Sequence, residues 1–170
     1  NVGMEASHKN GGILTPSMSD PWNAPGVFKH LASSVFDSQA ALKLHVRQLP
    51  SLLRWGLDFL RHSKSVHYRR ATMANYRLAA YSVEKTRELR ERLNLDYNAS
   101  TQGTLKLFRR CEAMQASEAL AESLSPMGLC FNKLDVDGVV AIEPQLSGIK
   151  NQIAGALHFP DDECGDAHLF

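Results

Sequence analysis

Seven prolines punctuate this chain, and their placement restricts it to short elements of mixed type. Pro16, Pro21 and Pro25, with Gly26 behind them, forbid a long regular element in the first 26 residues. What remains there is loop plus one short piece, Gly11-Gly12-Ile13-Leu14, which reads either as a strand or as a close approach of bare main chain. Pro50 fits the first turn of a helix. Pro126 and Pro144 close helices, and Pro160 closes a strand.

Periodicity fills in the elements between these stops. Val27, Phe28 and Leu31 predict a short helix over 27–34, and Leu42, Leu44 and Val46 alternate with charged neighbours as a strand does. Residues 50–62 form a helix that is apolar on most of its circumference. A long helix follows over 65–93, with Val66, Met73, Tyr76, Ala80 and Val83 at helical spacing and Asn94 as its stop. Glu88 precedes Arg92 by four residues, the favourable order for an exposed pair. Further on come a strand at 104–108, a helix at 111–125, a strand at 129–131, a helix at 134–142 and a strand at 156–159. No βαβ rhythm and no internal repeat emerge. The fold class is therefore α+β rather than doubly wound.

Charge and composition exclude several classes. A net charge of +1 gives no pull toward nucleic acid, and no apolar run is long enough to span a bilayer. Cys111, Cys130 and Cys164 are odd in number and far apart, so a disulfide scaffold and a C-x-x-C site are both disfavoured. Buried, reduced thiols are the expectation.

Most chemistry-bearing strings have a structural reading. Asp135-Val136-Asp137-Gly138 resembles part of a calcium loop, but Lys133 and Pro144 would occupy its two anchoring positions. Asp135 is better read as a helix N-cap. The run Asp161-Asp162-Glu163-Cys164-Gly165-Asp166-Ala167-His168 has adjacent donors that point apart; a turn capped by Asp166 is expected, and no metal site. Arg69 and Arg70 read as a solvated helix face. The helix at 50–62 carries Trp55 and Phe59 beside Arg54 and Arg61, which suits a core element with snorkelling arginines or a helix lying in a membrane interface; core packing is the expectation. No G-x-S-x-G elbow occurs, and neither glycine-rich phosphate cradle is present.

Three strings together carry a resemblance. They are Glu5-Ala6-Ser7-His8-Lys9-Asn10-Gly11-Gly12-Ile13-Leu14-Thr15-Pro16 with Asp20-Pro21-Trp22-Asn23-Ala24-Pro25-Gly26, then Gln102-Gly103-Thr104-Leu105-Lys106-Leu107-Phe108-Arg109, then residues 159–170 from Phe159-Pro160-Asp161 to Phe170. Ile142-Glu143-Pro144-Gln145-Leu146 adds a weaker fourth point. In this order the strings resemble the FAD-dependent D-amino acid dehydrogenases of the D-amino acid oxidase superfamily.

The resemblance implies an internal fragment of a two-domain flavoprotein. Residues 1–26 would be the flavin-facing edge of a Rossmann-like FAD domain, 27–159 an antiparallel-sheet cap region with helices that shapes the substrate pocket, and 160–170 the return into the FAD domain. The opening on Asn1 and the close on Phe170 fit that expectation. Ser7, Asn10, Gly11 and Gly12 would run along the cofactor, with Ile13 and Leu14 beside the ring. Gly11 and Ile13 depart from the family's usual residues there. The implied reaction is oxidative deamination of a D-amino acid by hydride transfer to FAD, with no catalytic residue assignable in this segment. A membrane quinone or other electron-transfer partner would take the electrons, which implies a cytoplasmic protein lying on the inner face of the membrane. The alternatives are an oxidase acting on glycine, sarcosine or another small amine, and a non-catalytic remnant whose helices serve only as an interaction module.

Overall fold

The computed structural model describes residues 10–27 and 49–170. The strand expected at 42–46 and all but Val27 of the helix expected over 27–34 lie outside the described residues. In chain order the elements are β1 (Ile13–Leu14), α1 (Leu49–His62), α2 (Ser65–Leu93), β2 (Thr104–Phe108), α3 (Cys111–Leu124), β3 (Asn132–Leu134), α4 (Val136–Ile142), β4 (Gly155–Phe159) and β5 (Glu163–Cys164). Short 3-10 segments occupy Pro16–Met18, Ser125–Met127 and Pro144–Gln152. The α+β expectation holds: both sheets are antiparallel, and helices flank the larger one.

Two compact units divide the chain. One comprises residues 1–18 and 76–170, the other 19–75. In the first, β4 is the central strand of a three-stranded sheet ordered β2-β4-β3, with Leu105 opposite His158 and Lys133 opposite Leu157. Four of the five β4 residues are buried, as a strand covered on both faces requires. Val139 of α4, Ile153 and Ala156 form a buried cluster, and Leu105, Leu134 and Leu146 pack against it. Leu157 and Phe159 project to the opposite face, and α3, which packs on β4 and β2, adds buried Met114, Ala121 and Leu124. Each large side chain so buried contributes about 1.5–3 kcal/mol.

The second sheet is small. Ile13 pairs with Cys164 and Leu14 with Glu163, and Cys164 bridges Ser100 on its other side through two main-chain hydrogen bonds of 2.8 and 3.0 Å. Two buried carboxylates anchor this region. Asp162 accepts from the Ser17 amide at 3.3 Å, the Ser17 hydroxyl at 2.6 Å and the Thr104 hydroxyl at 2.6 Å. Glu163 accepts from Arg87 Nε at 2.5 Å and Arg90 Nη1 at 2.8 Å, which ties β5 to α2. A second Arg87 nitrogen donates to the Asp161 carbonyl at 2.8 Å. The Asp162 and Glu163 carboxylates thus join segments more than 50 residues apart.

In the other unit, Tyr68 donates to Asp20 at 3.3 Å, and burial together with that carboxylate pushes its hydroxyl up to about 12. Asn75 donates to the Ser19 carbonyl at 3.0 Å. The apolar residues of α1 do not form the expected core. Leu53, Trp55 and Leu57 are exposed at 65, 61 and 62%, while Phe59 and Leu60 are half-buried.

Several other expectations need correction. Val66 is exposed, and the buried positions of α2 are Thr72, Tyr76 and Val83. Glu88 pairs with Lys85 at 2.6 Å rather than with Arg92. The strand expected at 129–131 lies at 132–134, because the end of α3 uses those residues first. Gly128, at φ 103, turns the chain, and the Leu129 amide reaches back to the Leu124 carbonyl at 3.4 Å. Cys111 and Cys130 are exposed and Cys164 is half-buried, so the thiols are not core residues. Asp135 does cap α4, accepting from the Gly138 amide at 2.8 Å. Asn94 stops α2 in the left-handed region at φ 47. Asp166 caps a closing turn, accepting from the amides of His168 and Leu169 at 2.8 and 3.2 Å.

Burial alone would raise the Glu163 carboxyl, but hydrogen bonds and charge from Arg90 and Arg87 outweigh it and hold the group below the ordinary carboxylate range. The pair therefore stabilises the fold fully above the ordinary Glu range and loses that contribution as pH falls through the lowered value. Glu163→Gln is expected to cost about 2 kcal/mol at pH 7, a figure reduced for the solvent exposure of Arg87. Urea unfolding at stepped pH checks this: the gap between variant and wild type should close as the solution is acidified below about pH 4.

Candidate flavin-facing shelf

The stretch Asn10–Leu14 forms a narrow shelf whose height is fixed from behind. Gly12 sits at φ +60, a conformation open to glycine and strained for other residues. Its carbonyl accepts from the Gly165 amide at 2.9 Å, and a Cβ on Gly12 would overlap the Gly165 carbonyl. Gly165 is backed in turn by the ring of Tyr97, which a Cβ on Gly165 would also strike. The glycine at position 12 is therefore demanded by the chain's own second layer. Gly11 differs: a Cβ there would meet only the Ile13 side chain, at an ordinary 3.8 Å. Sequence reasoning gave both glycines the same role, and the structure separates them.

The remaining shelf residues divide by chemistry. Asn10 accepts from the Gly12 amide at 2.9 Å, an Asx turn that occupies its side-chain oxygen and presents its amide nitrogen as the donor group. Ile13 is 60% exposed and Leu14 half-buried, so an apolar edge follows the polar start. Ser7 lies outside the described residues. Beside the shelf is a cavity of about 240 Å³, lined by Asn10, Gly12, Ile13 and Leu14 together with Thr86, Tyr97, Ala167 and Phe170. That volume is below the range for a whole drug-sized ligand, so the shelf supplies one wall of a site rather than a complete dinucleotide pocket.

These features fit a flavin. A bare main-chain surface at Gly11, an apolar edge at Ile13 and Leu14 and an amide donor at Asn10 match a flat heteroaromatic ring carrying a polar chain. Tyr97, Thr86, Gly165 and Phe170 were not singled out as site residues from sequence. Gly165 sat inside one of the resembling strings, but its pairing with Gly12 spans the chain and has no local signature.

A larger cavity of about 520 Å³ lies between α3 and β3, lined by Cys111, Met114, Gln115 and Lys133 among others. Its charged groups serve the fold: Lys133 donates to Glu118 at 2.7 Å, and Asp135 is the α4 cap. No polar groups converge on it as a site would require. Among the described residues, no three His, Cys, Asp or Glu side chains are placed to hold a metal ion.

Comparison with known proteins gives a consistent result. The family model described as FAD dependent oxidoreductase matches residues 1–170. D-amino acid dehydrogenase of Agrobacterium fabrum is 35% identical over 167 residues, covering 98% of this chain and 40% of the relative. The enzyme of the same name from Rhodopseudomonas palustris is 33% identical over 168 residues, covering 99% and 40%. The chain thus spans 40% of the length of these curated relatives. Glycine oxidase from Geobacillus kaustophilus shares the fold, with a TM-score of 0.50 and 19% identity over 98% of this chain and 32% of that one.

Two substitutions separate the glycines. Gly12→Ala should destabilise the protein by more than about 2 kcal/mol, through the strained φ and the overlap with Gly165. Gly11→Ala should change stability by less than about 0.5 kcal/mol. Thermal unfolding of the two variants side by side reads the difference.

Proposed function

The chain belongs to the FAD-dependent oxidoreductase family, and on that premise we propose that the protein oxidatively deaminates D-amino acids. The observation that carries the substrate class is identity of 33–35% to D-amino acid dehydrogenases over nearly the whole chain. The likeness to a glycine oxidase is one of fold, so a D-amino acid is favoured over glycine.

When bound, FAD supplies the two-electron acceptor for the hydride leaving Cα. The substrate nitrogen loses a proton, and water hydrolyses the resulting imine to a 2-oxo acid and ammonia. The chain's own residues bind and orient. Gly11 offers main chain without a side chain, so a flat ring can lie against it. Ile13 and Leu14 keep water from the ring's edge, and the Asn10 amide donates to a ribose or phosphate oxygen. A wall that cannot be compressed from behind holds reactant and acceptor at fixed separation, a proximity effect.

For the electron acceptor the reading is a membrane quinone, reached from the cytoplasmic face. Exposed Leu53, Trp55 and Leu57 on α1, with Arg54 and Arg61 beside them, support contact with an anionic lipid surface. Among the described residues, no helix is long and apolar enough to cross a membrane.

Two measurements test this reading. Anaerobic mixing of the full-length protein with D-alanine should bleach the flavin bands, L-alanine should not, and faster bleaching by glycine or sarcosine would move the assignment to a small-amine oxidase. The protein should co-sediment with vesicles containing phosphatidylserine. Replacing Leu53, Trp55 and Leu57 together by Ser should lower that binding by about tenfold or more while leaving D-alanine oxidation in solution unchanged.

A further inference from the structure

Tyr97 is placed oddly for a core residue. It is 4% exposed, yet it lies outside the buried cluster of Val139, Ile153 and Ala156 and packs largely on main chain. One face of its ring meets the Cα of Gly165 so closely that a methyl group there would overlap ring carbons. Its carbonyl accepts from the Asp166 amide at 2.7 Å. Its hydroxyl accepts from Arg90 at 3.3 Å, and the same guanidinium nitrogen donates to Glu163 at 2.8 Å. Phe170 meets it edge-to-face at 5.1 Å between centroids. Beyond Gly165 lies Gly12. Ring, strand and shelf are therefore three layers in contact, with no side chain between them.

We propose that Tyr97 is a positioning residue for the flavin, setting through Gly165 the height of the Gly12–Leu14 main chain against the cofactor. This rests on the reading that Asn10–Leu14 lines FAD. An aromatic ring is rigid, and close-packed interiors transmit displacement rather than absorb it. The ring is also restrained at three points: Arg90 at its hydroxyl, Phe170 at its edge and Asp166 at its carbonyl. A flexible aliphatic chain of smaller thickness would let Gly165 and Gly12 settle toward α2 and draw the shelf away from the ring system. Removing the hydroxyl alone would leave the thickness unchanged.

The experiment uses the full-length holoprotein and reads FAD affinity by titration, the visible flavin spectrum and the thermal midpoint. Tyr97→Leu should weaken FAD binding by about tenfold or more and shift the flavin bands. Tyr97→Phe should bind FAD within about twofold of wild type with an unshifted spectrum. Val139→Ala, in the packed cluster on the three-stranded sheet, should lower the thermal midpoint while leaving affinity and spectrum unchanged. Wild-type affinity and spectrum in Tyr97→Leu would overturn the proposal, as would the same spectral shift in Val139→Ala. Should Tyr97→Leu prove insoluble, Phe170→Leu takes its place: a weaker shift of the bands supports the proposal, and an unshifted spectrum overturns it. A wild-type protein that takes up no FAD would instead contradict the functional reading beneath it.

Discussion

At Gly12 and Gly165 two strands of main chain touch with nothing but hydrogen between them. The contact joins residues 153 positions apart (165 less 12), and the rest of the site is arranged to maintain it. The β1–β5 pairing extends it by two residues, and the Ser100–Cys164 bridge braces the far side. Glu163 then anchors β5 to α2 through two arginines, while Asp162 gathers Ser17 and Thr104. A chain segment with little regular structure of its own is held in place by charge-assisted hydrogen bonds, which are stronger than neutral ones and directional.

This arrangement explains why two adjacent acids sit buried in a string that looked solvent-facing. Each has its own set of donors, so neither is left as an uncompensated charge. The Asp162 group ties the start of the three-stranded sheet to the loop after β1, and the Glu163 group ties β1 and β5 to the long helix. The shelf is thus referenced to both the sheet and the helix of its unit, a more rigid mounting than either would give alone.

Local physics made much of the fold legible. Alternation after Gly103 located β2 at 104–108, the run of good formers located α3, and Asn94, Asp135 and Asp166 declared their caps. What failed depended on partners distant in sequence. Leu129 and Phe131 look like strand residues, yet the turn at Gly128 uses Leu129 to end a helix, so pairing with β4 begins only at Asn132. The apolar circumference of α1 suggested a core, whereas Leu53, Trp55 and Leu57 are exposed. At the site, the resembling strings pointed to Asn10–Leu14. They could not show that Gly12 answers to Gly165 while Gly11 is open, nor that Tyr97 stands behind both, since a glycine's neighbour across space leaves no trace in its flanking residues.

The most direct measurement is the structure of the full-length protein with FAD bound. The account predicts that the isoalloxazine ring lies in van der Waals contact, about 3.5–4 Å, with the main chain of Gly11–Leu14, and that Gly12 still rests on Gly165 over Tyr97. A flavin seated elsewhere, with this stretch facing solvent or a different part of the protein, would contradict it.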